Sequence, residues 1–428
     1  MVVEFSVKNF RSIKDLQTIS FATTGLKSSK KNSDIDRDNI IEFHGEKCFN
    51  VIGLYGANAS GKSNILKALD YFIDIISKQN SSKSELFNLC QPFLFQNGPE
   101  KTESFFQLVF VLNDTKYRYG VTIKKNEEKR SEGVDYSTEI VTNEWLYSDR
   151  EKNMTPLFIR EGNRITVNKL QNKSEIPTSN IYRHNLFLVH SAAYDFTGES
   201  KKITDYFRAY ATSEFEFNNN KFRWMSIKAL EGENRADFFK LLSTFNINLS
   251  NIELDEHVEN DKAVFPQEKI NFIKEFMDEN SSKKVKLNLK IHESSGTQKL
   301  FDLAGLLLRV FENTNQCFIT IDEIDSHFHP ALLINIVKAF NNPKINKSKS
   351  QLLFTSHDTN LLSPSLMRRD QFYFAEKAQN NSTKIYSLAD LKGIRNDANF
   401  AKEYLAGHYG ALPLLDTFCE LPKELSNE

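Results

Sequence analysis

Cysteine is scarce and scattered in this 428-residue sequence: Cys48, Cys90, Cys317 and Cys419 form no C-x-x-C pair. Neither a disulfide framework nor a structural zinc site is expected, and reduced thiols in a cytosol fit the spacing better. Excess charge of one sign is also absent. The 55 Lys+Arg nearly balance the 56 Asp+Glu, which argues against a generally basic protein that coats nucleic acid, though not against a local basic groove. No window approaches the ~20 apolar residues needed to span a bilayer. Met1 to Lys8 alternate like a strand and lack the apolar run of a signal peptide. The expectation is a soluble, cytoplasmic protein with no membrane partner. No stretch sustains the roughly three or four heptads of a coiled coil, and no internal repeat or G-x-S-x-G elbow stands out. His327 and His329 flank Phe328, a spacing that does not suit a helical metal pair.

What the sequence does contain is organised around Gly56-Ala57-Asn58-Ala59-Ser60-Gly61-Lys62-Ser63. The apolar run Phe49 to Tyr55 before it reads as a buried strand. The stretch after it, from Asn64, has apolar positions at helical spacing. Strand, glycine-bounded loop and helix together form the context that a P-loop needs. The glycines let backbone N–H groups face phosphate oxygens, and the helix N-terminus adds partial positive charge. Asn58, Gly61, Lys62, Ser63 and Asn64 are the expected nucleotide-binding residues. Lys62 would reach the β/γ-phosphates of ATP, and the Ser63 hydroxyl would bind Mg2+.

A second chemical element ends the apolar run Phe318-Ile319-Thr320-Ile321 with Asp322 and Glu323. One acid would cap a turn, whereas two adjacent acids call for a cation or a proton to manage. They read as a Walker B strand, with Asp322 in the Mg2+ shell and Glu323 as the base that orients and deprotonates water. Gln351 to Thr355 is another buried strand, and His357 lies just beyond it. Strand C-termini of parallel sheets face the ligand, so beside the Walker pair His357 is a candidate for the γ-phosphate. Before the helix Gln298 to Phe311, Ser295 reads as an N-cap with Gln298 completing a capping box. The same N-terminus could equally face a phosphate on a second molecule.

The remaining chain fills in the architecture. Residues 2–21 read as two strands around Asn9-Phe10-Arg11-Ser12, and 24–40 as a mobile loop whose Asp34, Asp36 and Asp38 are a solvated cluster rather than a metal site. Period-2 stretches from about 93 to 167 predict antiparallel strands. Leu186 to His190 is a short strand or a helix start. Ile203 to Tyr210, Arg235 to Phe245 and Gln267 to Met277 have helical periodicity, with one strand near Ile252 to Val258. Lys286 to Ile291 and Gln371 to Ala375 predict strands, Pro330 to Phe340 a helix, and 341–350 an exposed connection. The implied division is an ATPase lobe over 1–195, a helical insertion over 196–284 and a second ATPase lobe over 285–428.

In this order, Asn9 to Ser12, the P-loop, Ser294-Ser295-Gly296-Thr297-Gln298-Lys299, Ile321 to Ser326 and Thr355 to Asp358 resemble ABC-class ATPase heads of the RecF, SMC/Rad50 and OLD kinds. Arg368 to Lys377 and Tyr404 to Pro413 make the chain more similar to the stand-alone AAA15-type, RloA/AbiL-like ATP-binding proteins of phage-defence loci. The resemblance is weakest over about 125–285. It implies an ABC signature at Ser295, Gly296 and Thr297, a D-loop at Asp325 and Ser326, a switch histidine at His357, and an approach of Arg11 and Ser12 to the phosphates. Thr297 stands where transporter-type signatures have a second Gly, and Ala59 where many heads have Gly. Gln91, before Pro92, is the candidate Q-loop glutamine. About 70 residues follow His357, too few for a Toprim domain of usual size, so an effector would be a separate polypeptide.

The expected fold is therefore an α/β, ABC-type P-loop ATPase head with a mixed central sheet, an antiparallel β subdomain and a helical insertion. The expected function is hydrolysis of ATP with Mg2+ by a homodimer or higher oligomer that senses or regulates in an anti-phage system of abortive-infection type. Its partner would be a separate Toprim- or RloB-like nuclease. The alternatives are a RecF-like repair ATPase acting on DNA directly, and a scaffold that uses ATP as glue without hydrolysing it. A GTPase is disfavoured: the nearest match to N-K-x-D is Asn172-Lys173-Ser174-Glu175, in a polar loop.

Overall fold

The computed structural model describes residues 1–78, 84–126, 139–171, 173–196, 198–212, 220–255, 270–278, 281–312, 316–326 and 328–413. Asn172, His327 and Cys419 lie outside them, so the readings of the Asn172 and His327 motifs do too.

Val51–Tyr55, Phe318–Ile321 and Gln351–Ser356 are each buried along their whole length. Continuous apolar runs of this kind are what a parallel sheet covered on both faces requires. They form the centre of a six-stranded sheet in the order Ala211–Thr212, Phe318–Ile321, Gln351–Ser356, Val51–Tyr55, Phe372–Lys377, Thr383–Ser387. All neighbours pair in parallel except the last two strands. The sheet is mixed, as expected.

A second sheet is wholly antiparallel. Its seven strands run Arg164–Val167, Thr155–Glu161, Glu139–Ser148, Thr115–Lys125, Ser104–Leu112, Val2–Lys8, Gln17–Ser20. The helix Lys62–Ser77 lies between the two sheets. Ile65, Leu66, Leu69, Phe72, Ile73 and Ile76 form its buried stripe, at the i, i+3, i+4, i+7 spacing of an amphipathic helix. Phe72 is the centre of that contact: its ring stacks on Tyr119 at 5.7 Å and 4°, and on Phe106 at 5.7 Å and 28°.

The middle of the chain departs from expectation. Glu199–Tyr210 and Arg235–Thr244 are helices, joined by a third, Asn220–Glu231. Ile270–Asp278, however, is a strand, the centre of a three-stranded antiparallel sheet with Asn251–Leu254 and Ser281–Asn288. The expected helical insertion is thus half β. The apolar residues at 270, 273, 276 and 277 mimic a helical stripe, yet Phe276 and Met277 are exposed while Ile270 and Phe272 are fully buried. Pairing of Phe272 with Leu287 and of Ile270 with Leu254 outweighs the local period. The strand expected over 286–291 ends at Asn288, whose side chain caps a short helix, Leu289–His292. Glu199–Tyr210, assigned by sequence to the insertion, packs through Ile203, Tyr206 and Phe207 into the core of the P-loop lobe.

Two supposed loops are also structured. Asp34–Asp38 is a helical turn with Ile35 buried, and Asp36 accepts from Ser28 and pairs with Arg368 at 3.2 Å. In the 341–350 connection, the buried Asn346 amide donates to the Phe340 and Ser350 carbonyls. Leu186 to His190 resolves as the helix Phe187–Ala192. Cys48, Cys90 and Cys317 are buried thiols outside any disulfide, and burial pushes Cys48 and Cys90 up to about 12. Among the described residues no helix is long and apolar enough to cross a membrane.

Phe72→Ala should destabilise the protein by about 3–5 kcal/mol, since it empties a site lined on two sides by aromatic rings. Urea unfolding followed by circular dichroism measures this as a lower midpoint at unchanged slope.

Candidate nucleotide site

Because the three central strands run parallel, their C-terminal ends share one edge of the sheet. The loop from Gly56, the Asp322-Glu323 pair and His357 leave from that edge. Local contacts shape the loop. Gly61 has φ +98°, and a Cβ there would stand 1.9 Å from Thr383 Oγ1 and 2.7 Å from Ser12 Oγ. A Cβ on Gly56 would meet the Ala375 carbonyl oxygen at 2.3 Å. Ala59 also sits at positive φ, +61°, a glycine-like conformation with an alanine in it.

Lys62 opens the helix and is buried. Its amine donates to the Gly56 and Ala57 carbonyls at 2.9 and 3.0 Å. Desolvation lowers its pKa against the upward pull of Asp322, Glu323 and Asp325. A buried ammonium bonded to loop carbonyls, with three carboxylates pulling on it and glycines clearing the backbone, suits a polyphosphate with a divalent cation. Asn58 is exposed at the mouth of the loop and Ser63 is half-buried on the first helical turn.

The Asn9–Ser12 turn does reach the P-loop, through Ser12 rather than Arg11. Ser12 Oγ accepts from Asn64 Nδ2 at 2.8 Å and pairs with Thr383 Oγ1 at 2.7 Å. Arg11, at φ +49°, donates through Nε to Gln91 Oε1 at 2.8 Å and lies over the Phe10 and Tyr71 rings. Gln91 is thus tied to this turn. Sequence reasoning missed two further braces. Thr383 Oγ1 lies 2.9 Å from the Ser60 carbonyl, and the Ala57 N–H donates to the Ala411 carbonyl at 3.0 Å. Thr383 ends a polar run that reads only as a turn. Ala411 does sit in a stretch whose resemblance marked it.

At the strand end, Asp322 accepts a hydrogen bond from Thr355 Oγ1. Glu323 is exposed at φ +46°. Asp325 accepts the His357 backbone N–H through both carboxylate oxygens, at 3.1 and 3.2 Å. Desolvation and the Lys62 charge lower the His357 pKa, opposed by Asp325, Glu323 and Asp322. Lys62, His357 and these three acids therefore share one electrostatic neighbourhood.

Ser295, Gly296 and Thr297 begin the helix Ser295–Glu312. The cap is Ser294, not Ser295: its Oγ accepts the Thr297 N–H at 3.2 Å. Gln298 completes no capping box, since its amide donates to the Glu293 carbonyl at 3.1 Å. The bonds of Ser294, Thr297 and Gln298 are all local, which leaves Ser295 exposed at the helix tip. The helix is anchored further along. Asp302 forms a buried bidentate pair with Arg223, Ser226 Oγ donates to the Phe301 carbonyl at 2.6 Å, and Gly305 lets the Ser226 backbone approach. A cavity of about 500 Å3 lined by Arg160, Asn163, Tyr182 and Arg183 lies elsewhere. The Arg160 guanidinium there is occupied by the Gly162, Arg183 and Asn185 carbonyls.

Residues 51–363 match the family described as "AAA domain, putative AbiEii toxin, Type IV TA system". The match takes in the P-loop, Ser295 to Thr297, Asp322 to Asp325 and His357. No curated protein matches the chain. A solved structure titled as the recombination mediator protein RecF-ATPrS in the RecFOR pathway is similar over 90% of this chain and 98% of that one, at 13% identity and a TM-score of 0.34.

Lys62→Ala should weaken ATP binding about 10- to 100-fold, the loss of one charge-assisted contact of roughly 1.5–3 kcal/mol. Titration calorimetry reads this directly, and unchanged affinity would remove the P-loop assignment.

Proposed function

The chain belongs to that AAA-domain family, and from this premise we propose that it is an ABC-type ATPase that closes as a homodimer around ATP and Mg2+ to control a separate effector nuclease in an anti-phage system. The observation that carries the ATPase reading is the gathering of Lys62, Asp322, Glu323, Asp325 and His357 at one sheet edge, with Lys62 and His357 both in the field of the three acids. ATP supplies the phosphoryl group that is cleaved, and Mg2+ offsets its charge. Lys62 exchanges the Gly56 and Ala57 carbonyls for phosphate oxygens. Ser63 and Asp322 would hold the cation, Glu323 would take a proton from the water that attacks the γ-phosphorus as ADP leaves, and His357 would contact the γ-phosphate.

Dimerisation is supported by the exposed tip at Ser295, where the Ser294, Thr297 and Gln298 side chains bond back no further than Lys290. A helix N-terminus suits a phosphate, and a second copy would bring one. Ser295, Gly296 and Thr297 would then complete the partner's site, with Asp325 beside the seam. The defence role is supported by the family's description, which names a toxin of a type IV system, and by the resemblance to RloA/AbiL-like proteins. A Toprim- or RloB-like nuclease is the effector this reading requires.

Ser295→Arg should leave ATP binding by the monomer intact and stop hydrolysis, because the arginine would clash at the seam. Wild-type turnover in this variant would sink the head-to-head sandwich.

Glu323→Gln keeps shape and removes the basic oxygen. Turnover should fall by ~10²–10⁴, about 3–5 kcal/mol of barrier, while ATP affinity holds and the protein collects as a closed dimer. Size-exclusion chromatography with ATP and a phage-plating assay test both halves. Normal turnover would mean the base lies elsewhere. Normal closure with wild-type plating would leave the ATPase standing and end the regulatory reading, whereas DNA-stimulated turnover would point to a repair ATPase instead.

A further inference from the structure

Thr355 is fully buried beside both acids. It lies one residue past Phe354, which pairs with Ile321, so it stands opposite the point where the neighbouring strand gives way to Asp322 and Glu323. We propose that Thr355 is the positioning residue for this acid pair, its single hydroxyl orienting the Asp322 carboxylate and the Glu323 backbone together. The inference rests on the reading of Asp322 and Glu323 as the cation ligand and the base.

Proton bookkeeping fixes the directions. The Glu323 N–H can only donate, and it points at Thr355 Oγ1 from 2.7 Å. The hydroxyl oxygen therefore accepts there, and its one proton goes to Asp322 Oδ1. That bond commits one carboxylate oxygen of Asp322 and leaves the other for a divalent cation. The Thr355 carbonyl also accepts the Ile324 N–H at 3.0 Å. Two consecutive amides are thus clamped by one residue.

The clamp answers a need. Glu323 has φ +46°, a left-handed conformation that a glutamate adopts only where its surroundings over-determine it. Ser326 N–H closes the turn from the other side, on the Glu323 carbonyl at 2.9 Å. Of these bonds, the Thr355 hydroxyl makes the one that a side-chain substitution removes without changing the backbone.

Thr355→Val is nearly isosteric and lacks the hydroxyl, and Thr355→Ser restores it. In the nucleotide-free protein, hydrogen exchange of the peptide spanning 318–326 should be faster in the Val variant and near wild type in the Ser variant. With ATP and Mg2+, Val should lower kcat roughly 10- to 100-fold, the scale of a misplaced catalytic group, with KM nearly unchanged. Ser should recover both readouts. Wild-type exchange and kcat in the Val variant would overturn the proposal. If Val does not fold, Thr355→Cys serves: a thiol is a poor donor and acceptor, so wild-type behaviour in a folded Cys variant would overturn it equally. Glu323→Gln run alongside separates the two claims. If it abolishes turnover while Thr355→Val does not, the positioning role falls alone. If it leaves turnover intact while Thr355→Val still speeds exchange, the assignment of Glu323 as the base falls and the clamp stands.

Discussion

Parallel pairing of three buried strands is the constraint on which the rest depends. Val51–Tyr55, Gln351–Ser356 and Phe318–Ile321 come from separate parts of the chain, and all three point the same way in one sheet. That direction brings a lysine, two acids and a histidine from separate sequence segments to one edge. No local contact could do this. The apolar content of each strand makes it possible, because strands buried on both faces have no solvent side to turn towards.

The P-loop helix converts that sheet into a rigid platform. Its buried stripe is covered by the central sheet on one side and by the antiparallel sheet on the other. The loop above it is held by residues that arrive from elsewhere: Ser12 from the N-terminal turn, Thr383 from an edge strand, Ala411 from near the C-terminus. A loop whose glycines tolerate no Cβ must be pressed by its neighbours, and these residues do the pressing. The same contacts that preclude a side chain at Gly61 keep the loop in shape.

What could be read in the sequence follows from the range of the physics involved. The P-loop, the paired acids and the buried strands are local patterns, and each appears where the spacing placed it. The braces at Thr383, Ala411 and Thr355 are long-range pairings of ordinary residues, and nothing in a turn-like Asn-Asn-Ser-Thr run marks a contact with Ser60. The helix expected over Gln267 to Met277 gives way, in its described part from Ile270, for the opposite reason. Its local period was clear but was overruled by strands on both sides. The cap at Ser294 shows a finer limit: two adjacent serines are equivalent as letters, and only backbone geometry selects between them.

The helix Ser295–Glu312 has a different dependence. Its residues are shared between two cores: Leu303, Leu306, Leu307 and Val310 pack with the central sheet, whereas Phe301, Ala304 and Leu308 pack with Phe238, Ile252 and Phe272 of the mixed insertion. The buried Arg223–Asp302 pair binds it to the insertion helix Asn220–Glu231, although burial pushes the Asp302 carboxyl up to about 6 despite the arginine. Such a pair is a weak source of net stability, but it is costly to break from one side. It therefore serves better to fix one helix against another than to strengthen the fold. The exposed tip at Ser295 is set by the insertion as much as by the sheet that carries the P-loop. A displacement of the small β-sheet relative to the central one would have to move that tip, because close packing leaves little slack between them.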